Sequence, residues 1–113
     1  MSTEDQTDVN LDPAQVRELH ESGGAQLIDV RRPAEVEAGH IAGSTHIEMT
    51  EVGARADELD RDKPVIFYCR VGSRSAMAAN AFRRAGYEAY SLAGGVEAWE
   101  ARGMPFEGEV AEH

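Results

Sequence analysis

The apolar and polar positions of the chain fall into short segments of two kinds. Asp12-Pro13 predicts a helix start, a capping side chain followed by proline at the first helical position. Val16 and Leu19 give that helix an apolar stripe, and Ser22-Gly23-Gly24 ends it. Residues 26–30 read as a short strand with an acid near its C-terminal end. Pro33 opens a helical turn through Val36 that Gly39 stops, and residues 45–48 form a brief strand. The charged stretch around residues 51–59 predicts a short helix. Residues 64–68 are continuously apolar, as a strand buried on both faces of a parallel sheet should be. A polar loop, residues 69–74, leads into a helix over residues 73–85. Ala78, Ala81, Phe82 and Ala85 recur there at helical spacing, with Met77 alongside, and Gly86 caps the end. Residues 87–92 predict another strand, Gly94-Gly95 a turn, and residues 96–101 a last helix carrying Trp99, which we assign to the core.

Strand and helix therefore alternate four or five times. That order predicts an α/β fold with a mostly parallel central sheet. In such sheets ligands bind beyond the C-terminal strand ends. Asp29-Val30-Arg31 and Cys69-Arg70 both fall at such ends and should be spatial neighbours.

Composition narrows the function. At 113 residues the chain is sized for one domain. Acids outnumber bases 21 to 11, a formal net charge of −10, which argues against nucleic acid or an anionic membrane surface as partner. Seven of the acids lie in residues 1–12 and 107–113, and all 11 bases lie between. We therefore divide the chain into an acidic flexible tail at 1–10, a folded domain at 11–106 and an acidic tail at 107–113, the tails serving solubility. One cysteine excludes an intrachain disulfide, and no apolar run approaches the about 18–20 residues of a membrane span. The N-terminus has neither a basic nor an apolar signal region, so a soluble, cytoplasmic protein is expected.

The chemistry concentrates in Cys69-Arg70-Val71-Gly72-Ser73-Arg74-Ser75. A strand delivers a cysteine, a tight loop turns at Gly72, and a helix leaves. Amides of a loop curled around the sulfur form an anion nest, and the helix N-terminus and two arginines add positive charge. All three favour thiolate, so the Cys69 pKa should fall below that of a free thiol. The same loop suits a small anionic substrate. Screening acts over about 8 Å at physiological ionic strength, so nearby arginines and amides outweigh distant acidic tails.

These segments resemble the single-domain rhodanese-like sulfurtransferases over about residues 11–106. Leu27-Ile28-Asp29-Val30-Arg31 resembles the first signature; Glu35 with Gly39-His40-Ile41-Ala42-Gly43-Ser44 resembles the second. The loop from Cys69 to Ser75 resembles the active-site loop, and Leu92-Ala93-Gly94-Gly95-Val96 with Trp99 and Gly103 the C-terminal signature. The resemblance implies a five-stranded parallel sheet with helices on both faces. It implies Cys69 as a sulfur-carrying nucleophile that takes sulfur from a donor such as thiosulfate and passes it to a thiol or cyanide. No cofactor and no metal is implied.

Roles follow for each residue. Arg70 is expected to bind the anionic head of the donor, with Gly72 and Ser73 shaping the loop and offering N–H groups. Val71 makes the pocket more apolar, which suits a persulfide better than the oxygens of thiosulfate. Arg74 either binds the anion or braces the loop against Asp29, Asp60 or Glu35. Asp29 and Arg31 either support the loop or form a local surface pair. His40 lacks partners at zinc-like spacing and reads as structural. The acceptor is a small thiol or a thioredoxin-like protein, and the expected assembly is a monomer or weak homodimer.

Other chemistries fit less well. A phosphatase or arsenate-reductase loop is C-x5-R, whereas Arg74 follows Cys69 after four residues, and Tyr68 stands where tyrosine phosphatases have His. Gly72 removes a C-x-x-C redox pair, and Arg70 departs from the C-G-[ST]-G-V-T pattern of mercaptopyruvate enzymes. A different class remains open: a sulfur-carrier or binding module that works only with a dedicated partner.

Overall fold

The computed structural model describes residues 9–110. Its central sheet has five parallel strands: β1 (Asn10–Leu11), β2 (Gln26–Asp29), β4 (Thr45–His46), β5 (Val65–Tyr68) and β6 (Ala89–Leu92). They lie in the order β1-β6-β5-β2-β4, which puts the most apolar strand in the middle. Four helices cover the sheet: α1 (Pro13–Glu21), α2 (Pro33–Ala38), α3 (Ser73–Arg84) and α4 (Gly95–Ala101). The α1 start is capped as its sequence predicts. Asp12 accepts from the Ala14 N–H at 2.9 Å, and Gln15 reaches back to the Asp12 N–H at 3.1 Å.

Strand alternation partitions the core between the two sheet faces. Val65, Phe67 and Cys69 join α3 residues Ala78, Ala79 and Phe82 in one apolar cluster. Ile66 and Tyr68 join Val16 of α1 and Val96 and Trp99 of α4 in the other. The expected architecture, a five-stranded parallel sheet between helices, is the one observed. Cys69 thus leaves the end of β5 on the α3 side, directly under the N-terminus of that helix.

Three local expectations need correction. The 51–59 stretch forms turns and a single 3-10 turn at Ala56–Glu58 instead of an α-helix; Val52, Ala56 and Leu59 anchor it to the core, and Gly53 disfavours a helix there. The buried face of α3 is Ser75, Ala78, Ala79 and Phe82, while Ala81, Ala85 and Met77 are exposed. An alanine-rich helix has no strong stripe of its own, and the contact of Phe82 with Phe67 and Tyr87, at 4.9 Å each, sets its rotation. Third, the charge division places residues 9–10 and 107–110 in tails, yet Val9 is buried and Asn10 pairs with Ser91. At the other end β7 (Glu107–Gly108) pairs antiparallel with β3 (Gly39–His40). The outermost parts of the proposed tails, residues 1–8 and 111–113, lie outside the described residues.

Candidate functional site

Register aligns Asp29 of β2 with Tyr68 of β5, and the Val30 N–H donates to the Tyr68 carbonyl at 3.0 Å. The two strand ends named from the sequence are therefore adjacent.

Around Cys69 the loop curls as expected. The Gly72 N–H donates to Sγ at 3.1 Å and the Ser75 N–H at 3.4 Å, and the Ser75 hydroxyl lies 3.5 Å away. Gly72 holds a left-handed φ of 104°, the turn that aims these groups inward. Burial pushes the Cys69 pKa up. The Ser75 hydroxyl, the two amides and the Arg74 charge together outweigh it and bring the thiol below its ordinary value. The thiol has no exposed surface, whereas Val71 at the loop apex is 52% exposed and Ser73 is open to solvent.

A second feature explains why the loop amides, and not its carbonyls, face the sulfur. The Val96 N–H donates to the Cys69 carbonyl at 2.9 Å, and the Glu97 N–H to the Arg70 carbonyl at 3.1 Å. The free N–H groups at the start of α4 thus hold both carbonyls away from Sγ. The close approach requires Gly95, whose φ is 62° and whose Cβ, if present, would strike the carbonyls of Arg70 and Cys69.

The arginines separate into distinct tasks. Arg74 makes a forked pair with buried Glu35, at 3.0 and 3.2 Å, so of its two expected roles the geometry displays bracing, and of its three candidate partners Glu35. Burial raises the Glu35 pKa, but Arg74 and the Arg32 N–H more than reverse this and hold it below the usual carboxylate value. Arg70 pairs with Glu97 of α4 at 2.7 Å at the rim of the site. Asp29 and Arg31 form a fully buried fork at 2.8 and 2.9 Å, which overturns one of their two expected readings, the surface pair. Arg31 also donates to the Gly39 carbonyl at 2.7 Å and lies 5.6 Å over the Tyr68 ring. The pair joins β2 to β3. His40 faces Glu107 at 3.3 Å across the β3–β7 ribbon, a structural contact, and Trp99 is buried with its Nε1–H on the Pro105 carbonyl at 2.7 Å.

Among known proteins, the model of the rhodanese-like domain matches residues 12–102. The chain belongs to the rhodanese-like domain family. A rhodanese-related protein of Thermoplasma volcanium superposes with a TM-score of 0.81 at 30% identity, covering 88% of this chain and 98% of that one. In sequence, the protein YqhL of Bacillus subtilis is 46% identical over 76 residues, 66% of this chain and 60% of YqhL. The thiosulfate sulfurtransferase GlpE of Pseudomonas aeruginosa is 42% identical over 88 residues, 77% of this chain and 79% of that protein. The chain therefore spans about three fifths of the first relative and about four fifths of the second.

This rhodanese-like domain also uses residues to which sequence reasoning gave no role. Among the described residues Ser75 supplies two of the three polar groups on Sγ, Ser91 of β6 sits behind it at 2.7 Å, and Glu97 grips Arg70 by backbone and side chain. A signal existed for one of them: Ser91 interrupts the apolar positions of a strand that should be buried on both faces. Glu97 had none, because its partner lies 27 residues away.

Proposed function

We propose that the protein is a sulfurtransferase that carries a sulfane sulfur on Cys69. The Cys69 thiolate attacks the outer sulfur of a donor such as thiosulfate. The sulfur–sulfur bond of the donor breaks, sulfite leaves with the electron pair, and a Cys69 persulfide remains. A thiolate or cyanide then attacks the outer sulfur, and Cys69 departs as thiolate. The same donors that favour the attacking thiolate stabilise it as a leaving group, and ping-pong kinetics should follow. The observation that carries this reading is the ring of two amides and one hydroxyl on Sγ. Likeness to a thiosulfate sulfurtransferase supports it. Arg70, at the rim, receives the anionic head of the donor; Gly72 and Ser73 give the loop its shape, and Val71 lines the mouth. Because Sγ has no exposed surface, the loop must part to admit the donor sulfur. A reducing compartment such as the cytoplasm suits the lone thiol.

Mass spectrometry of the intact protein after incubation with thiosulfate should register one added sulfur atom, and Cys69→Ser should abolish it. Sulfur uptake by the serine variant would remove Cys69 from the mechanism. The second reading, a carrier that discharges only to a dedicated protein such as a thioredoxin-like thiol, is favoured by the burial of Sγ and by the hold of Glu97 on Arg70. Turnover with free thiosulfate and cyanide separates the two: efficient turnover marks a stand-alone enzyme, and loading without turnover marks a carrier.

A further inference from the structure

Ser91 is fully buried between Tyr90 and Leu92, in a strand covered by helices on both faces. Among the described residues its hydroxyl has one hydrogen-bond partner, Ser75 Oγ at 2.7 Å. Ser75 Oγ in turn lies 3.5 Å from Cys69 Sγ and 3.3 Å from the Gly72 carbonyl. Each hydroxyl owns a single proton, and this fixes the direction of the chain. If Ser75 donated to Ser91, the Ser91 proton would be buried without an acceptor, and Sγ would lose a donor. If Ser91 donates to Ser75, both hydroxyls are satisfied, and the Ser75 proton is left for Sγ or the Gly72 carbonyl. A thiolate, being charged, is the stronger acceptor of the two.

We propose that Ser91 is a positioning residue of the sulfur site: by donating to Ser75 it polarises that hydroxyl and strengthens the hydrogen bond Ser75 gives to Cys69 Sγ. The proposal rests on Cys69 being the reactive thiol. It adds a consequence for the second half of the reaction, since a better-stabilised thiolate departs faster from a persulfide. Once the charge moves to the outer sulfur, the Gly72 carbonyl offers the Ser75 proton a second acceptor. The charged groups around the loop are Arg74 on α3, Glu35 on α2, the Asp29–Arg31 pair beyond β2, and the Arg70–Glu97 pair at α4. Ser91 hydrogen-bonds none of them, so its replacement isolates the hydroxyl chain.

The test is the pH profile of Cys69 alkylation by iodoacetamide in wild type, Ser91→Ala, Ser75→Ala and the double variant. Ser91→Ala deletes one buried oxygen. It should move the midpoint to higher pH, slow alkylation about three- to tenfold below the midpoint, and leave the high-pH plateau unchanged. In the Ser75→Ala background the Ser91 substitution should add nothing. An unmoved midpoint in Ser91→Ala, or a further shift in the Ser75→Ala background, overturns the proposal. Thiosulfate loading of the same variants is read by mass. Shifted profiles with no loading would sink the sulfurtransferase reading and leave the role of Ser91 standing.

Discussion

Cys69, Arg70 and Ser91 differ in how far each one's surroundings reach along the chain, and that reach governs what a sequence reveals of them. The environment of Cys69 is largely local: Gly72 and Ser75 lie within six residues, so the nest could be reasoned out from the loop alone. Arg70 was legible as a cation beside the sulfur, but its partner Glu97 comes from another helix. Arg70→Ala should raise KM for thiosulfate about tenfold, the loss of one charged contact, and leave thermal stability nearly unchanged. Steady-state kinetics at fixed acceptor concentration measures this, and an unchanged KM would place the anion elsewhere. The role of Ser91 is not legible in the sequence, because its value lies in a contact between a strand and a helix 16 residues apart.

At the scale of elements, the sequence announced those that carry strong punctuation. Asp12-Pro13, Gly86 and the apolar run at 65–68 each mark an element that the structure contains, and so the parallel sheet was legible in full except at its edge. Of the two-residue strands, β4 is legible because residues 45–48 extend it, whereas β1, β3 and β7 are not, since a bare pair of residues has no periodicity to read. Their partners decide them: Gly39 lies so close to Glu109 and Phe106 that the ribbon depends on its missing side chain. The turn before α4 behaves similarly. Gly95→Ala should cost about 1–3 kcal/mol from its left-handed backbone alone, and more from the carbonyls it would strike. Denaturant unfolding reads the stability, and the alkylation profile of Cys69 should shift to higher pH as the two carbonyls lose their hold. A variant with wild-type stability and reactivity would disprove this account of the turn.

For the whole molecule, acid sensitivity follows from Glu35. Its pKa is lowered in the folded state, so its pairing with Arg74 stabilises the protein fully above the ordinary carboxylate value of 4.5. That contribution is lost as pH falls from there through the folded value. Glu35→Gln should cost about 2 kcal/mol near neutral pH, the size of a charge-assisted pair, and the difference from wild type should shrink as the solution is acidified below pH 4.5. Denaturation midpoints measured from pH 7 down to pH 3 check this, and parallel curves would show that Glu35 is not the group responsible. The excess of acids, by contrast, sits largely near the ends of the chain, and none of the contacts that set the sulfur depends on it.

The grip of α4 on the carbonyls of Cys69 and Arg70 has a bearing on how such a site could be transplanted. Grafting the seven residues from Cys69 to Ser75 onto another strand–helix junction would transfer a thiol and its loop with no fixed sense to the peptide planes. The portable unit has two pieces, the loop and the Gly94–Gly95 turn with the first residues behind it. A host scaffold must therefore supply two adjoining parallel strands, each followed by its own helix, before the pKa of the borrowed thiol falls as that of Cys69 does.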